Sequence, residues 1–399
     1  MSFSTDRPTS WQACIACGNE VVETDPGVRC RACAGLLEVR HRPPRLTREE
    51  LLQRFTERRG GPRGPGSTSG VWRFRELVMP SAELIVSHPE GNTPLLHRTM
   101  LDEYTGVDQL LLKHEGHNPT GSFKDRGMTV GVTQAVRIGA RAVACASTGN
   151  TAASLAAYAA QARIPALVLV PVGSVSDGKL AQALAYGART LLVRGDFDDC
   201  LQLAEEAGER LGVYLLNSVN AWRVEGQKTI IFELLQQLGW DPPEWIVVPA
   251  GNLGNLAAFG KALRELQEYG VITRLPRLVG VQAAGAAPFA RGFADGFRTR
   301  YQVRAETVAT AIRIGNPASW DRAVQSIRDT NGLVLEASDE AILDAKAAVD
   351  RSGVGCEPAS AAAVAGVKHL AAGGMLRAGD RVVAVLTGHV LKDPGILLE

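Results

Sequence analysis

Asn118-Pro-Thr-Gly-Ser-Phe-Lys-Asp-Arg-Gly127 is the stretch on which the reading of this 399-residue chain turns. Just before it, Leu110 to Lys113 reads as a buried strand, and just after it Asp125 opens a helix-like run to Ile138. A lysine between a strand end and a helix start, here Lys124, stands at the mouth of a fold, where its amine can meet a ligand. Gly121, Ser122 and Gly127 allow close backbone approach on both sides. A Schiff-base lysine needs this setting, because its amine must reach an aldehyde and be partly desolvated to react near neutral pH. The same ten residues also describe a surface lysine in a glycine turn, so the choice falls to the partners found elsewhere.

Working outward, apolar β-branched runs alternate with alanine-rich helical segments. Strands are expected at Arg141 to Ala146, Ala166 to Val170, Thr190 to Val193, Tyr214 to Leu216, Trp245 to Pro249, Leu278 to Gln282 and Arg381 to Leu386. Helices are expected at Thr151 to Ala162, Asp177 to Gly187, Phe197 to Leu211, Val224 to Leu238 and Leu256 to Tyr269. Gly285 to Ser319 reads as less regular, with further helices after it. This pattern means a largely parallel sheet covered on both faces, an α/β class. The length suits two domains, or one large domain with an appendage.

In open α/β folds ligands bind beyond the carboxyl ends of the strands, and polar, glycine-bearing stretches lie there. Ser147-Thr-Gly-Asn-Thr151 offers hydroxyls, an amide and helix-terminal N–H groups to a carboxylate or phosphate, and also reads as a plain helix cap. Gly251-Asn-Leu-Gly-Asn255 precedes a helix and can cradle a phosphate with backbone N–H groups; it is not a dinucleotide fingerprint. Asn217-Ser-Val-Asn-Ala-Trp-Arg223 adds amides, a hydroxyl and a guanidinium that binds phosphate bidentately, or forms a surface salt bridge. Thr387 offers a strand-end hydroxyl that can partner a ring nitrogen without protonating it. His389 reads as a turn histidine, and Glu357-Pro358 as the start of a helix without chemistry. One lysine, a phosphate cradle, an amide and a strand-end hydroxyl together fit pyridoxal 5′-phosphate.

Composition narrows the partners. Hydrophobic residues at 45% and charged ones at 21% are ordinary for a globular protein, and the net charge of +1 offers no attraction to nucleic acid or anionic membrane. No apolar run approaches the ~20 residues of a membrane span. Met1 to Trp11 is polar and does not read as a secretory signal, so a cytoplasmic protein is expected. Of the 7 cysteines, Cys14, Cys17, Cys30 and Cys33 form two C-x-x-C knuckles that a hairpin can bring together as a closed, structural zinc site. Unmetallated thiols are the plain alternative. Residues 42–80 are rich in arginine, proline and glycine. Leu46 to Phe55 reads as a helix capped by Thr47. The tract Arg58-Arg-Gly-Gly-Pro-Arg-Gly-Pro-Gly66 reads as a loop or linker, or as a phosphate patch.

Six motifs taken together resemble the threonine synthases, fold type II pyridoxal-phosphate enzymes. They are NPTGSFKDRGM (118–128), STGNT (147–151), NSVNAWRVEGQKT (217–229), AIRIGNPASW (311–320), EPASAA (357–362) and TGH-LKDP (387–394). The resemblance runs from about Gly70 to the C-terminus. It implies two largely parallel α/β units, a large one from 42–134 and 217–399 and a small one from 135–216. An N-terminal zinc ribbon over 1–41, like that of many members, completes the organisation. Lys124 would form the Schiff base, Asn150 would bond the pyridoxal hydroxyl and Thr387 would face the pyridine nitrogen. Gly251, Asn252, Leu253, Gly254 and Asn255 would bind the cofactor phosphate. Ser147, Thr148 and Thr151 would hold the substrate carboxylate, with Asn217, Ser218 and Arg223 on the phosphate of O-phospho-L-homoserine. The implied reaction is a β,γ-replacement giving L-threonine and phosphate, the last step of threonine biosynthesis, in a homodimer. Ala221, Leu253 and Val390 depart from the family pattern, and Val390 puts a glycine-specific conformation beside Thr387 in question. A threonine/serine dehydratase, a cysteate-synthase-like enzyme and a non-catalytic zinc-ribbon protein remain as alternatives.

Overall fold

The computed structural model describes residues 8–397 apart from 63, 148, 173–176 and 196. Among the described residues the strands form three sheets. The N-terminal strands β1 (Ser10–Cys14), β2 (Glu20–Val22) and β3 (Leu37–His41) make a small antiparallel sheet in the order β2-β1-β3. Next come β4 (Leu95–His97) and β5 (Leu110–His114), then β6 (Ala142–Ala146), β7 (Ala166–Pro171), β8 (Arg189–Val193) and β9 (Val213–Leu215). The chain closes through β10 (Trp245–Pro249), β11 (Arg277–Ala283), β12 (Leu333–Ala337) and β13 (Val382–Leu386). The larger sheet runs β12-β11-β10-β13-β5-β4 and the smaller β8-β7-β6-β9.

All pairings in these two sheets are parallel except that of β4 with β5. Burial explains why the strands were readable. Trp245–Pro249, Ala142–Ala146 and Val382–Leu386 are buried at every position, because helices cover both faces, so each appears as an unbroken apolar run. Parallel pairing also puts the strands' carboxyl ends on one side of each sheet. Glu115, Thr387 and Ala250 therefore leave β5, β13 and β10 at one rim, with Ser147 and Leu216 leaving β6 and β9.

Three expectations change. The helix expected over Val224 to Leu238 is two, Ala221–Gln227 and Thr229–Gln237. Its start moves forward because Asn220 Oδ1 accepts from the N–H groups of Trp222 at 3.0 Å and Arg223 at 3.3 Å. The break falls where the Thr229 hydroxyl donates to Gly226 O at 2.6 Å and Ile231 N–H turns to Lys228 O at 3.1 Å. Within the stretch expected to be helical after Ser319, Leu333–Ala337 is an edge strand on β11, too short and too exposed to show a clear period. The tract Arg58–Gly66, expected as a loop or linker, is partly helical: Arg58 to Gly60 end the helix Arg48–Gly60, and Pro65 and Gly66 open the helix Pro65–Thr68. The helix Arg48–Gly60 has a full capping box from Thr47 and Glu50, and Val71, Trp72, Phe74, Leu77, Val78 and Met79 lie in the main core. The arginines that disguised this stretch have partners: Arg58 pairs with Glu76, and Arg73 with Glu233.

Candidate active site

Lys124 is the first residue of the helix Lys124–Arg137, directly after the turn from β5. The turn is tied to the end of β13: Phe123 N–H donates to Thr387 O at 3.0 Å and His389 N–H to Gly121 O at 2.9 Å. Asp125 fixes it from the other side, accepting from Thr120 N–H at 2.7 Å, the Thr120 hydroxyl at 2.6 Å and Ser154 at 2.6 Å. The lysine amine lies 4.5 Å from the Phe123 ring centre. Burial, and then the nearby Arg223 guanidinium, push its pKa down to about 7, against the opposing pull of Glu357. A large share of these amines is thus neutral and nucleophilic near neutral pH.

Arg223 comes so close because two helices meet backbone to backbone. A Cβ on Gly226 would overlap the carbonyl of Arg126, and one on Gly127 would sit 3.1 Å from Arg223 O. Glycine at both positions lets Ala221–Gln227 lie directly on Lys124–Arg137. Arg223 is 1% exposed. Its Nη1 donates to Leu216 O at 3.0 Å, whereas Nε and Nη2 are buried with no partner. Burial lowers its pKa only to about 10, so it stays charged at neutral pH. A buried cation with two unpartnered donors is a receptor for an anion.

Across from the lysine, Asn150 opens the helix Asn150–Ala162 and its amide donates to Glu357 Oε2 at 2.9 Å. The Thr387 hydroxyl lies 3.4 Å from Glu357 Oε1 and 2.9 Å from the Ser360 hydroxyl. Gly388 leaves no room for a side chain, since a Cβ there would meet the Glu357 carboxyl at 2.5 Å. Glu357, taken from the sequence as a helix start without chemistry, therefore joins Asn150 to Thr387. Burial raises its pKa. The signal for it was an acid directly before a helix-opening proline and an alanine-rich buried helix, an expensive place for a carboxylate without a role.

Gly251–Asn255 rounds the end of β10 into the helix Gly254–Glu268, whose first N–H groups have no intrahelical acceptor. A Cβ on Gly251 would lie 2.8 Å from Ile312 Cα, so the loop follows its neighbour as closely as glycine permits. Leu253 holds φ +63°, a left-handed conformation normally left to glycine or asparagine, and is 2% exposed. Asn252 accepts from Ala318 N–H at 2.6 Å and donates to the Ser218 hydroxyl at 2.5 Å, joining the cradle to the Arg223 segment. Asn255 Oδ1 is buried without a partner. Asn217 uses both ends of its amide on the Ala146 backbone, at 2.9 and 3.0 Å, and so locks the end of β6 beside β9. Ser147 and Thr151 are partly exposed at the same rim, and Thr148 lies outside the described residues. Val390 has no left-handed φ; it opens a short 3₁₀ turn, Val390–Lys392, behind the His389 cap.

Beside the small N-terminal sheet, the Sγ atoms of Cys14, Cys17, Cys30 and Cys33 all lie within 4.8 Å of one another, with Cys14–Cys33 at 3.5 Å and Cys17–Cys30 at 3.7 Å. Four sulfurs at about 2.3 Å from one tetrahedral zinc stand about 3.8 Å apart, so the set has the right size.

Residues 86–388 match the model of the pyridoxal-phosphate dependent enzyme family. The fold agrees: a threonine deaminase of T.th. superposes with a TM-score of 0.64 at 25% identity, covering 80% of this chain and 97% of that one. Threonine synthase from Escherichia coli gives a TM-score of 0.71 at 19% identity over 97% of this chain and 90% of that one. The chain is a fold type II pyridoxal-phosphate dependent enzyme. Its sequence is 43% identical over 386 residues to a threonine synthase of Methanocaldococcus jannaschii, covering 96% of this chain and 93% of that protein. It is also 50% identical over 312 residues to one of Mycobacterium leprae, covering 78% and 84%. It belongs to the threonine synthases.

Proposed function

We propose that this chain converts O-phospho-L-homoserine and water to L-threonine and inorganic phosphate, as a cytoplasmic homodimer with pyridoxal 5′-phosphate on Lys124. The observation that carries the reading is the buried Arg223, with two unpartnered donors and close enough to Lys124 to lower its pKa. A substrate with its own phosphate supplies the missing partner; a substrate without one leaves a buried charge uncompensated. The residues present also suit the cofactor. Gly251–Asn255 offers an open helix end to its phosphate, Asn150 an amide to its hydroxyl and Thr387 a neutral hydroxyl to its ring nitrogen. Bound there, the cofactor would act as the electron sink that acidifies the substrate's Cα and Cβ protons.

The chain's own groups do the rest. With its pKa near 7, the Lys124 amine can take the Cα proton and then move one at Cβ. Ser147 and Thr151 hold the substrate carboxylate at the mouth of the helix that follows β6. Arg223, with Ser218, receives the phosphate as it leaves Cγ and keeps it near the carbon where water adds. Asn217 orients that pair from the Ala146 backbone. Cys14, Cys17, Cys30 and Cys33 would hold a structural zinc, far from this chemistry in role, since four thiolates leave no open coordination position.

The test is Arg223→Ala. Release of phosphate from O-phospho-L-homoserine should fall about 10³-fold or more, as for removal of a buried charge contact to the reacting group, while the visible absorbance of bound cofactor persists. An unchanged rate refutes the assignment, and formation of 2-oxobutyrate from threonine by the parent enzyme would favour a dehydratase.

A further inference from the structure

A second set of buried charges lies on the far side of the Lys124 helix. Arg126 pairs with Glu115 at 2.6 Å and with Glu233 at 2.8 Å. Lys113 reaches Glu233 at 2.7 Å and Arg73 reaches it at 3.3 Å. Three cations thus share two carboxylates, and all five side chains are 1% exposed or less. Glu90, the next carboxylate along, is taken up elsewhere by Ser69, Ser87 and Tyr158. A buried excess of positive charge is costly unless something compensates it.

The excess sits beside a hollow. A cavity of about 220 Å³ is lined by Arg59, Ser67, Arg73, Asn92, Glu233 and Gln237. Arg73 donates to Asn92 Oδ1 at 2.6 Å and to Glu233, but its Nε is buried with no partner. It is the one member of the cluster with such an atom among the described residues. Burial lowers its pKa to about 10, and the neighbouring Arg126 and Arg59 push the same way. The Glu233 carboxylate lines the cavity too, but its oxygens already accept from Lys113, Arg73, Arg126 and the N–H groups of Asn92 and Thr93. Arg59 is exposed at the other wall, at the end of the helix Arg48–Gly60.

We propose that this cavity is a second anion site, separate from the Arg223 site, which takes a small oxyanion, a carboxylate or a phosphate, between Arg59 and Arg73. It gives the ends of the Arg58–Gly66 tract a role that a linker would not have: Arg59 at one end and Ser67 just past the other both line the cavity. The site connects to the catalytic lysine through rigid pairs, Arg73 to Glu233 to Arg126, two residues from Lys124. An anion bound there stabilises the packing under the Lys124 helix.

Inorganic phosphate is the probe, and the holoenzyme of the Arg223→Ala variant is the background, so that the active-site guanidinium is absent and the cofactor phosphate fills its own cradle. Calorimetric titration should show one saturable phosphate per chain, with a rise in melting temperature that follows occupancy and with acetate competing. Adding Arg59→Glu, a change at an exposed position, should weaken binding by about tenfold or more. Arg73→Lys should weaken it as well by replacing the guanidinium at the cavity wall; if that variant does not fold, Arg59→Glu alone decides. Absence of saturable binding, or binding that Arg59→Glu leaves unchanged, overturns the proposal.

Discussion

Replacing Lys124 by methionine should make the cofactor-free protein more stable, and by an amount that depends on pH. The side chain keeps its length and apolar stem but loses the charge that burial and Arg223 both oppose. In the folded chain the amine releases its proton near pH 7, whereas in the unfolded chain it keeps it to 10.5. Over that window the unfolded state binds more protons, so this group makes stability rise with pH. Below about pH 7 both states are protonated and the full penalty applies; above 10.5 neither is, and the penalty is gone. A fall from 10.5 to about 7 corresponds, at about 1.4 kcal/mol for each pH unit, to roughly 5 kcal/mol. The residue is partly open to solvent, which screens the charge and brings the expected value down to about 2–3 kcal/mol. Urea unfolding of cofactor-free parent and Lys124→Met proteins measures it. The variant should be more stable by that amount at about pH 6.5, and by less than about 1 kcal/mol at about pH 10.5. A variant no more stable than the parent at the lower pH, or one whose advantage does not change with pH, would refute the desolvated lysine.

Gly226→Ala should destabilise the protein by about 3 kcal/mol or more in thermal unfolding, because its Cβ meets a backbone carbonyl that cannot move aside. By pushing Arg223 away from Lys124 it should also raise the pH at which the cofactor-free protein captures pyridoxal 5′-phosphate. Glu357→Ala leaves the Asn150 amide without its acceptor and should cost about 1–3 kcal/mol in stability of the holoenzyme, with Glu357→Gln recovering most of it. If zinc holds the ribbon, thiol titration should find Cys14, Cys17, Cys30 and Cys33 protected before chelation and reactive after it, with Cys145, Cys200 and Cys356 buried throughout. Free reaction of the exposed Cys17 and Cys33 in untreated protein would count against the metal.

What the sequence made legible is what parallel sheets write into a chain. Strands covered on both faces become apolar runs, and the polar turns after them mark the rim where Lys124, Gly251–Asn255 and Thr387 meet. The rest was hidden because it depends on pairs far apart in the chain. Glu357 acquires meaning only beside Asn150 and Thr387, and Asn217 only beside Ala146. The core stretch Val71 to Met79 gave no reading from sequence because its charges find partners as distant as Glu233. A local signal did exist for that cluster: Glu233 interrupts Ile230-Ile-Phe-Glu-Leu-Leu235, and Lys113 ends the run Leu110-Leu-Leu-Lys113. A charge inside an apolar run must be paired or neutralised when the run is buried, so such interruptions predict partners even where they cannot name them.

The same reasoning explains why Lys124 needs so much scaffolding. Burial lowers its pKa most and the Arg223 guanidinium adds to it, and two like charges are held together only if the backbone is rigid. The glycines at Gly127 and Gly226 bring the two helices into contact, and on the opposite face Arg126 is gripped by Glu115 and Glu233, so the helix cannot slide to relieve the repulsion. The strain between Lys124 and Arg223 is thereby kept until an anion reaches the guanidinium. On the proposed function, a phosphate-bearing substrate would pair with that guanidinium and remove its share of the shift on Lys124, while burial keeps the larger share.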